Sequence, residues 1–517
     1  MPVLETDDDD DEHDSPPMKP FDCLAVDLGA ESGRVMHAAF REGRVALREV
    51  HRFPNGPAAD GDSLVWDLER LWAGMLDGLR LATPDLPPGA TLAVDSWGVD
   101  YVRLDAAGRW LVPAFSYRDA RCARGQALAD ARVPWPEQFA AAGIQRMAIN
   151  SSCQLLAEEP ARLAETAQVL WIADAFHQRL TSRIAAEATL ASTSALRDAA
   201  GDAWAWGLIG RLGLPRRLFP EIVPSGTRLG PLRPELRSAL GAASLEVIAG
   251  CAHDTAAAVL AVPAAGDDWA YLSSGTWSLL GLELPAPCLT AACRDLNFTN
   301  EAGHGGTVRL LKNLIGLWLV QECRRTWAER GQVLDYAALA TQAEAAAPWR
   351  SLVNPADPRF LAPGNMPARI ADFCRETGQP VPDTPGAFMR CALESLALQY
   401  RRTLREAEAV AGRSVRRLYV VGGGSRNALL NRLTAAACGL PVHAGPAEAT
   451  ALGNALVQAL TVGALPDVAA ARALVARALP PVVYRPDALP GLDEAVRRFA
   501  ALAGGGAWDA AARPDVD

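Results

Sequence analysis

Two stretches of this chain share one design, and that repetition constrains the fold more than any other feature. In the first, the apolar run Cys23 to Val26 ends in Asp27-Leu28-Gly29-Ala30-Glu31-Ser32-Gly33-Arg34, and a second apolar run follows from Val35 to Phe40. In the second, Trp269 to Leu272 enters Ser273-Ser274-Gly275-Thr276 and leaves through Ser278 to Leu282. Each reads as strand, tight polar turn, strand, because short apolar runs broken by Gly and Ser make hairpins. After the first hairpin and a third strand (Val45 to Phe53), Leu68, Leu71, Trp72, Met75, Leu76 and Leu79 recur at helical spacing over Leu68 to Leu81. The next strand, Thr91 to Val94, empties into Asp95-Ser96-Trp97-Gly98-Val99-Asp100. Strand, crossover helix, strand predicts parallel pairing, with ligands at the carboxyl end of the strands. The chain therefore reads as two α/β halves of similar beginning, a duplication of architecture. At 517 residues it exceeds what one core sustains, so at least two domains are expected.

Charge narrows the function. A net charge of -10, part of it in Asp7 to Glu12, argues against a nucleic-acid footprint. Residues 1–18 read as a disordered acidic tail, and Gly504 to Asp517 as a frayed end. The N-terminus has no secretory character, and no apolar run reaches the roughly 18 residues a membrane span requires, so a cytoplasmic protein is expected. Ten cysteines are scattered without a CxxC pair, which favours reduced, buried thiols over a zinc site or a disulfide framework.

The stretch from Ala249 to Leu279 joins the halves. It opens with His253-Asp254-Thr255, runs through an Ala/Val segment read as a helix joining the domains, and re-emerges in the second hairpin. Residues 114–245 read as mostly helical, with the Pro- and Gly-rich Pro220 to Pro234 as a surface connection. Further helices are expected at about Leu310 to Arg330, Pro385 to Ala411 and Thr450 to Val462. A strand from Arg417 to Val421 runs into Gly422-Gly423-Gly424-Ser425 before a helix at Asn427, and another lies near Val442.

Four places carry candidate chemistry. The turn after Asp27 is able to hold phosphoryl oxygens on its amides, although a D-x-G turn is most often a plain hairpin. No Walker A motif occurs, so phosphate binding would have to come from such hairpins. Asp254 stands where a strand gives way to a helix, as an N-cap or as a carboxylate placed to accept a proton. The glycines 422–424 beside a helix start suit phosphate or ribose, or form an ordinary loop. Trp97-Gly98-Val99-Asp100 offers an aromatic face beside a glycine and a carboxylate, a platform for a sugar. Lys312 is the single lysine beyond Lys19, either a chance survivor or a place where a compact ammonium fits and a guanidinium does not.

The succession AVDLGAESGR, DSWGVDYV, YRDAR, HDTAAAV, YLSSGTWSL, NFTNEAG, LLKNLIGLWLVQ, PGNMPARI, CALESLALQYR, VVGGGSRNALLN and GPAEATALGN resembles the FGGY carbohydrate kinases, and within them the rhamnulokinase branch, from residue 21 to about 485. The resemblance implies two ribonuclease-H-like domains of the actin and hexokinase type flanking a catalytic cleft: a sugar-binding domain over 19–262 and a nucleotide-binding domain over 263–490, with a helix and tail at 491–517. It implies ATP and Mg2+ as cofactors and transfer of the γ-phosphate to O1 of L-rhamnulose. Asp254 would be the base, with Gly98, His253, Thr255 and Asn313 at the sugar. Ala30, Glu31, Ser32, Gly33, Arg34, Thr276, Gln321 and Gly423 would hold ATP, and Asp27 the metal. The partners are then a ketose and ATP, without nucleic acid or membrane, in a monomer or homodimer. Two rivals remain: a kinase for another ketose such as L-fuculose or L-xylulose, and a non-catalytic sugar sensor of the same fold. The chain departs from the family pattern at Glu31, where a small hydroxyl residue is usual, and at Cys438, which has Thr434 where some relatives carry a second cysteine.

Overall fold

A computed structural model describes residues 18–242 and 244–504. The acidic tail up to residue 17, and the end from residue 505, lie outside the described residues.

β1 (Phe21–Leu28) is buried at every position because both faces of its sheet are covered. Leu24, Val26 and Leu28 enter the core of the first half, while Phe21 and Cys23 enter a core shared by both halves. Around it lie β2 (Ser32–Arg41), β3 (Arg44–Pro54), β4 (Thr91–Ser96), β5 (Thr227–Pro231) and β6 (Glu246–Ala249), in the order β5-β6-β4-β1-β2-β3. The second half holds β7 (Trp269–Ser274), β8 (Trp277–Leu284), β9 (Thr299–Ala302), β10 (Val308–Ile315), β11 (Arg417–Val421), β12 (Val442–Ala444) and β13 (Val482–Tyr484), in the order β9-β10-β8-β7-β11-β12-β13. The hairpin β1-β2 is antiparallel and β4 joins β1 in parallel. Likewise β7-β8 is antiparallel and β11 joins β7 in parallel. The duplication read from the two hairpins is thus a duplication of sheet topology.

Helices follow the apolar periodicity. α1 (Leu68–Ala82) starts where the Asp67 side chain accepts from the Arg70 amide and buries Leu68, Leu71, Trp72, Met75 and Leu79. α2 (Asp254–Leu260), α3 (Trp318–Glu329), α4 (Pro385–Ala411), α5 (Ala428–Cys438) and α6 (Ala449–Thr461) complete the elements that position the site. α2 follows the strand β6 and α6 follows β12, equivalent positions in the two halves. The two helices pack on each other in the shared core, where Ala256 to Ala261 meets Ala449, Leu452 and Leu456. Among the described residues, no helix is long and apolar enough to cross a membrane.

Three sequence expectations change. The helix expected over Leu310 to Arg330 begins as the strand β10 and becomes helical only at Trp318. Leu310 and Leu314 face the second half's core and Leu311 the shared one, so burial on both faces hides the two-residue period that marks a strand. The stretch Pro220 to Pro234 contains the edge strand β5, where proline is tolerated. The cap of α2 is His253, and Asp254 is the first helical residue rather than the N-cap.

At the crossing of α2 and α6, a Cβ on Gly453 would lie 1.7 Å from the Ala257 carbonyl oxygen. Gly453→Ala is therefore expected to cost about 1–3 kcal/mol through overpacking, read as a lower urea midpoint. Gly207→Ala, at a helical glycine with nothing within 4 Å, should leave the midpoint unchanged or raise it.

Candidate active site

The carboxyl ends of the central strands of both sheets open onto one cleft of about 500 Å3. It brings together Asp27, Ala30, Glu31, Ser32, Arg34, Gly98, His253, Asp254, Thr255, Thr276, Asn313 and Gly423. Two residues singled out with them do not line it. Gly33 backs onto the Phe53 ring, and Gln321 sits one turn into α3, behind the Thr276 turn.

Asp27 is the penultimate residue of β1, opposite Arg34 across the hairpin and beside Asp95 on β4. Arg34 forms ion pairs with both Asp27 and Glu448, and so ties the first hairpin to the residue preceding α6. Burial lifts the Asp27 carboxyl above its ordinary range, although Arg34 opposes this. Arg426 holds the other oxygen of Glu448 at 2.9 Å. Glu31 Oε1 accepts from Thr276 Oγ1 at 3.3 Å, linking the hairpin turns of the two halves. The glycine loop packs closely behind them, since a Cβ on Gly424 would lie 2.0 Å from Ser274 Oγ.

At the start of α2, Asp254 Oδ1 accepts from the Thr255 amide at 2.5 Å and from Thr255 Oγ1 at 3.1 Å. His253 Nε2 lies 3.4 Å from the same oxygen. Arg309 Nη2 donates to His253 Nδ1 at 3.0 Å, and a guanidinium has no acceptor to offer. Glu301 Oε2 lies 3.4 Å from the same Nδ1, so this nitrogen faces a guanidinium and a carboxylate together while Nε2 faces Asp254. Arg309 is fully buried and also pairs with Glu301 at 3.1 Å. Burial alone would raise the Glu301 carboxyl, but Arg309 and His253 outweigh it and hold it below its ordinary value. Asn313 is fixed from the other half, its N–H and Nδ2 donating to Gln145 Oε1 at 2.9 and 3.1 Å.

Asp100 does not belong to a sugar platform. It is buried, accepting from Trp66 Nε1 at 2.6 Å, Trp97 Nε1 at 2.9 Å, Gln154 Nε2 at 2.9 Å and the Tyr117 amide at 3.2 Å. Burial pushes it up to about 6 despite these donors. Lys312 points away from the cleft, donating to Glu406 Oε2 at 2.6 Å with its ammonium 4.6 Å from the Phe298 ring centre.

Sequence reasoning missed Glu448, Arg309, Glu301, Gln145 and Asp95. Asp95 is fully buried; Asn454 Nδ2 donates to its Oδ2 at 2.6 Å, and its Oδ1 has no partner. Among the described residues, no group of three or more His, Cys, Asp or Glu side chains is placed to hold a metal ion alone. An ion carried on a nucleotide's phosphates needs only one or two carboxylates, and Asp27 at the mouth of the phosphate turn fits that requirement.

Residues 23–261 match the N-terminal domain of the FGGY family of carbohydrate kinases, and residues 270–462 match its C-terminal domain. The chain is 42% identical to a rhamnulokinase of Bacteroides thetaiotaomicron, over 92% of this chain and 98% of that protein. It is 35% identical to a rhamnulokinase of Bacillus subtilis, over 89% of this chain and 95% of that protein. Its fold matches a ligand-bound xylulose kinase from Lactobacillus acidophilus with a TM-score of 0.75 at 14% identity, covering 93% and 97% of the two chains. Plasmodium falciparum glycerol kinase with ADP matches with a TM-score of 0.72 at 14% identity, covering 94% and 97%. With both domain models matched in order and the duplicated sheets meeting at one cleft, this chain belongs to the FGGY family of carbohydrate kinases.

Proposed function

We propose that this carbohydrate kinase transfers the γ-phosphate of ATP to O1 of L-rhamnulose, with Asp254 as general base. The observation that carries the reading is the placement of Asp254. Its side chain is 31% exposed in the cleft, Oδ1 is taken by Thr255, and Oδ2 is left for the acceptor hydroxyl. The similarity to rhamnulokinases over most of the chain supports the choice of sugar, and the cleft volume suits a small ligand.

In this reading Gly98, His253, Thr255 and Asn313 orient the ketose. Ala30, Glu31, Ser32 and Arg34, with Thr276 and Gly423, hold ATP, while Gly33 and Gln321 lie outside the cleft lining. The acceptor hydroxyl gives its proton to Asp254 as its oxygen bonds to the γ-phosphorus, and the bond to the β-phosphate oxygen breaks to release ADP. Little covalent help is needed; the work is alignment, charge neutralisation and exclusion of water. Asp27 is the residue that would hold a divalent ion, Mg2+ being the choice suited to phosphate and carboxylate oxygens, and the bound ion would neutralise charge on the polyphosphate. Arg309 and Glu301 act through His253, both meeting its Nδ1 and so holding the ring in place beside Asp254. Among the described residues the cysteines form no disulfide, in keeping with a cytoplasmic setting.

A coupled ADP-release assay over a ketose panel tests the reading. The highest kcat/KM should fall on L-rhamnulose; a better ratio on L-fuculose or L-xylulose would replace the substrate, and no turnover on any sugar would favour a sensor. Arg309→Met should cost about 3–5 kcal/mol of stability, because it leaves a buried charge on Glu301 unpaired. Arg309→Met with Glu301→Gln should recover most of that stability while kcat stays low. Wild-type kcat in the double variant would show the pair to be purely structural.

A further inference from the structure

Val99 stands beside Gly98 at the cleft with φ at +68°. That is the left-handed region, which glycine adopts freely and which a β-branched side chain resists. The conformation is held from both sides. The Val99 amide donates to Thr193 Oγ1 at 3.0 Å, and its carbonyl accepts from Ser151 Oγ at 2.5 Å and Gln154 Nε2 at 3.3 Å. Both polar groups of its backbone are thereby occupied, so Val99 adds only apolar surface to the cleft, with its side chain partly buried against the first half's core. Strain of this kind persists where the surroundings over-determine it, and it concentrates at ligand sites.

Thr193, bound to the Val99 amide, and Asn150, bound to the Gln145 carbonyl, also line the cleft here, among apolar neighbours. Gln154 Nε2 also donates to the Ile149 carbonyl, at 2.8 Å, which sets Ile149 next to Val99. Ile149, Met147 and Trp97 line the same cleft. The polar groups proposed for the sugar, on His253, Asp254, Thr255 and Asn313, come from other elements. One part of the acceptor region therefore meets hydroxyls and another meets hydrocarbon.

We infer that Val99, with Ile149 and Met147, seats the terminal methyl of a 6-deoxyketose and is a specificity-determining residue against the 6-hydroxy sugar. The inference rests on the proposed acceptor, whose C6 is a methyl group. An apolar pocket discriminates weakly against an isostere with an added hydroxyl, by up to about 100-fold, so the preference should be measurable and graded rather than absolute.

The test compares kcat/KM on L-rhamnulose and on L-fructose, its 6-hydroxy counterpart, for wild type, Val99→Gly and Val99→Thr, with melting temperatures. Wild type should prefer L-rhamnulose. Val99→Gly should lower the preference at least about tenfold without lowering the melting temperature, because glycine relieves the backbone. Val99→Thr, which keeps the shape and adds a hydroxyl, should lower the preference mainly by gaining on L-fructose. An unchanged ratio in both variants, or an equal loss on the two sugars, overturns the inference while leaving the acceptor reading intact. A wild-type enzyme inactive on both sugars overturns that reading and this inference with it.

Discussion

Where α2 crosses α6, the backbone of Gly453 lies against the carbonyl of Ala257, and the functional groups of both halves are arranged around that contact. α2 begins with Asp254, and α6 begins directly after Glu448, which holds Arg34 and through it the turn of the first hairpin. Asp254 and the residue that anchors the first hairpin turn thus sit at the starts of two helices whose packing is fixed. Polar groups fix it further. Asn454 and Gln458 on α6 reach into the first sheet, where Gln458 donates to the Leu24 carbonyl at 3.0 Å and accepts from Thr91 Oγ1 at 2.5 Å. Such buried amides are costly unless paired, so they specify one seating of the helix.

The cleft is more acidic than a phosphate site needs. Asp27, Glu31, Asp254, Glu301 and Glu448 line it against Arg34, Arg52 and Arg426. Arg34 is already shared between Asp27 and Glu448. An entering polyphosphate would meet walls with little free positive charge, which gives a physical reason for the metal ion that kinases of this kind require. Buried Arg309 adds no free charge to these walls, since it is engaged with Glu301 and His253.

Local pattern made much of this legible. β1 and β11, α1 and α4 appear close to where strand runs and helical periodicity place them, because each has a distinct period or a clear punctuation at its ends. β10 was hidden because both its faces are buried. Asp100 looked available because sequence shows a carboxylate beside a tryptophan but not that two indoles and a glutamine amide enclose it. Glu448 could not be linked to Arg34, which lies 414 residues away. Lys312 was conspicuous for its rarity, yet its position is set by a buried pairing with Glu406.

The central claim is that Asp254 takes the acceptor proton. Its most direct test is the single-turnover rate of Asp254→Asn with ATP and L-rhamnulose both saturating. The account predicts a rate at least ~10²-fold lower, with ATP and sugar affinities near those of wild type, since the amide preserves the shape and the Thr255 contacts. A near-normal rate would contradict it and reduce Asp254 to the opening residue of a helix.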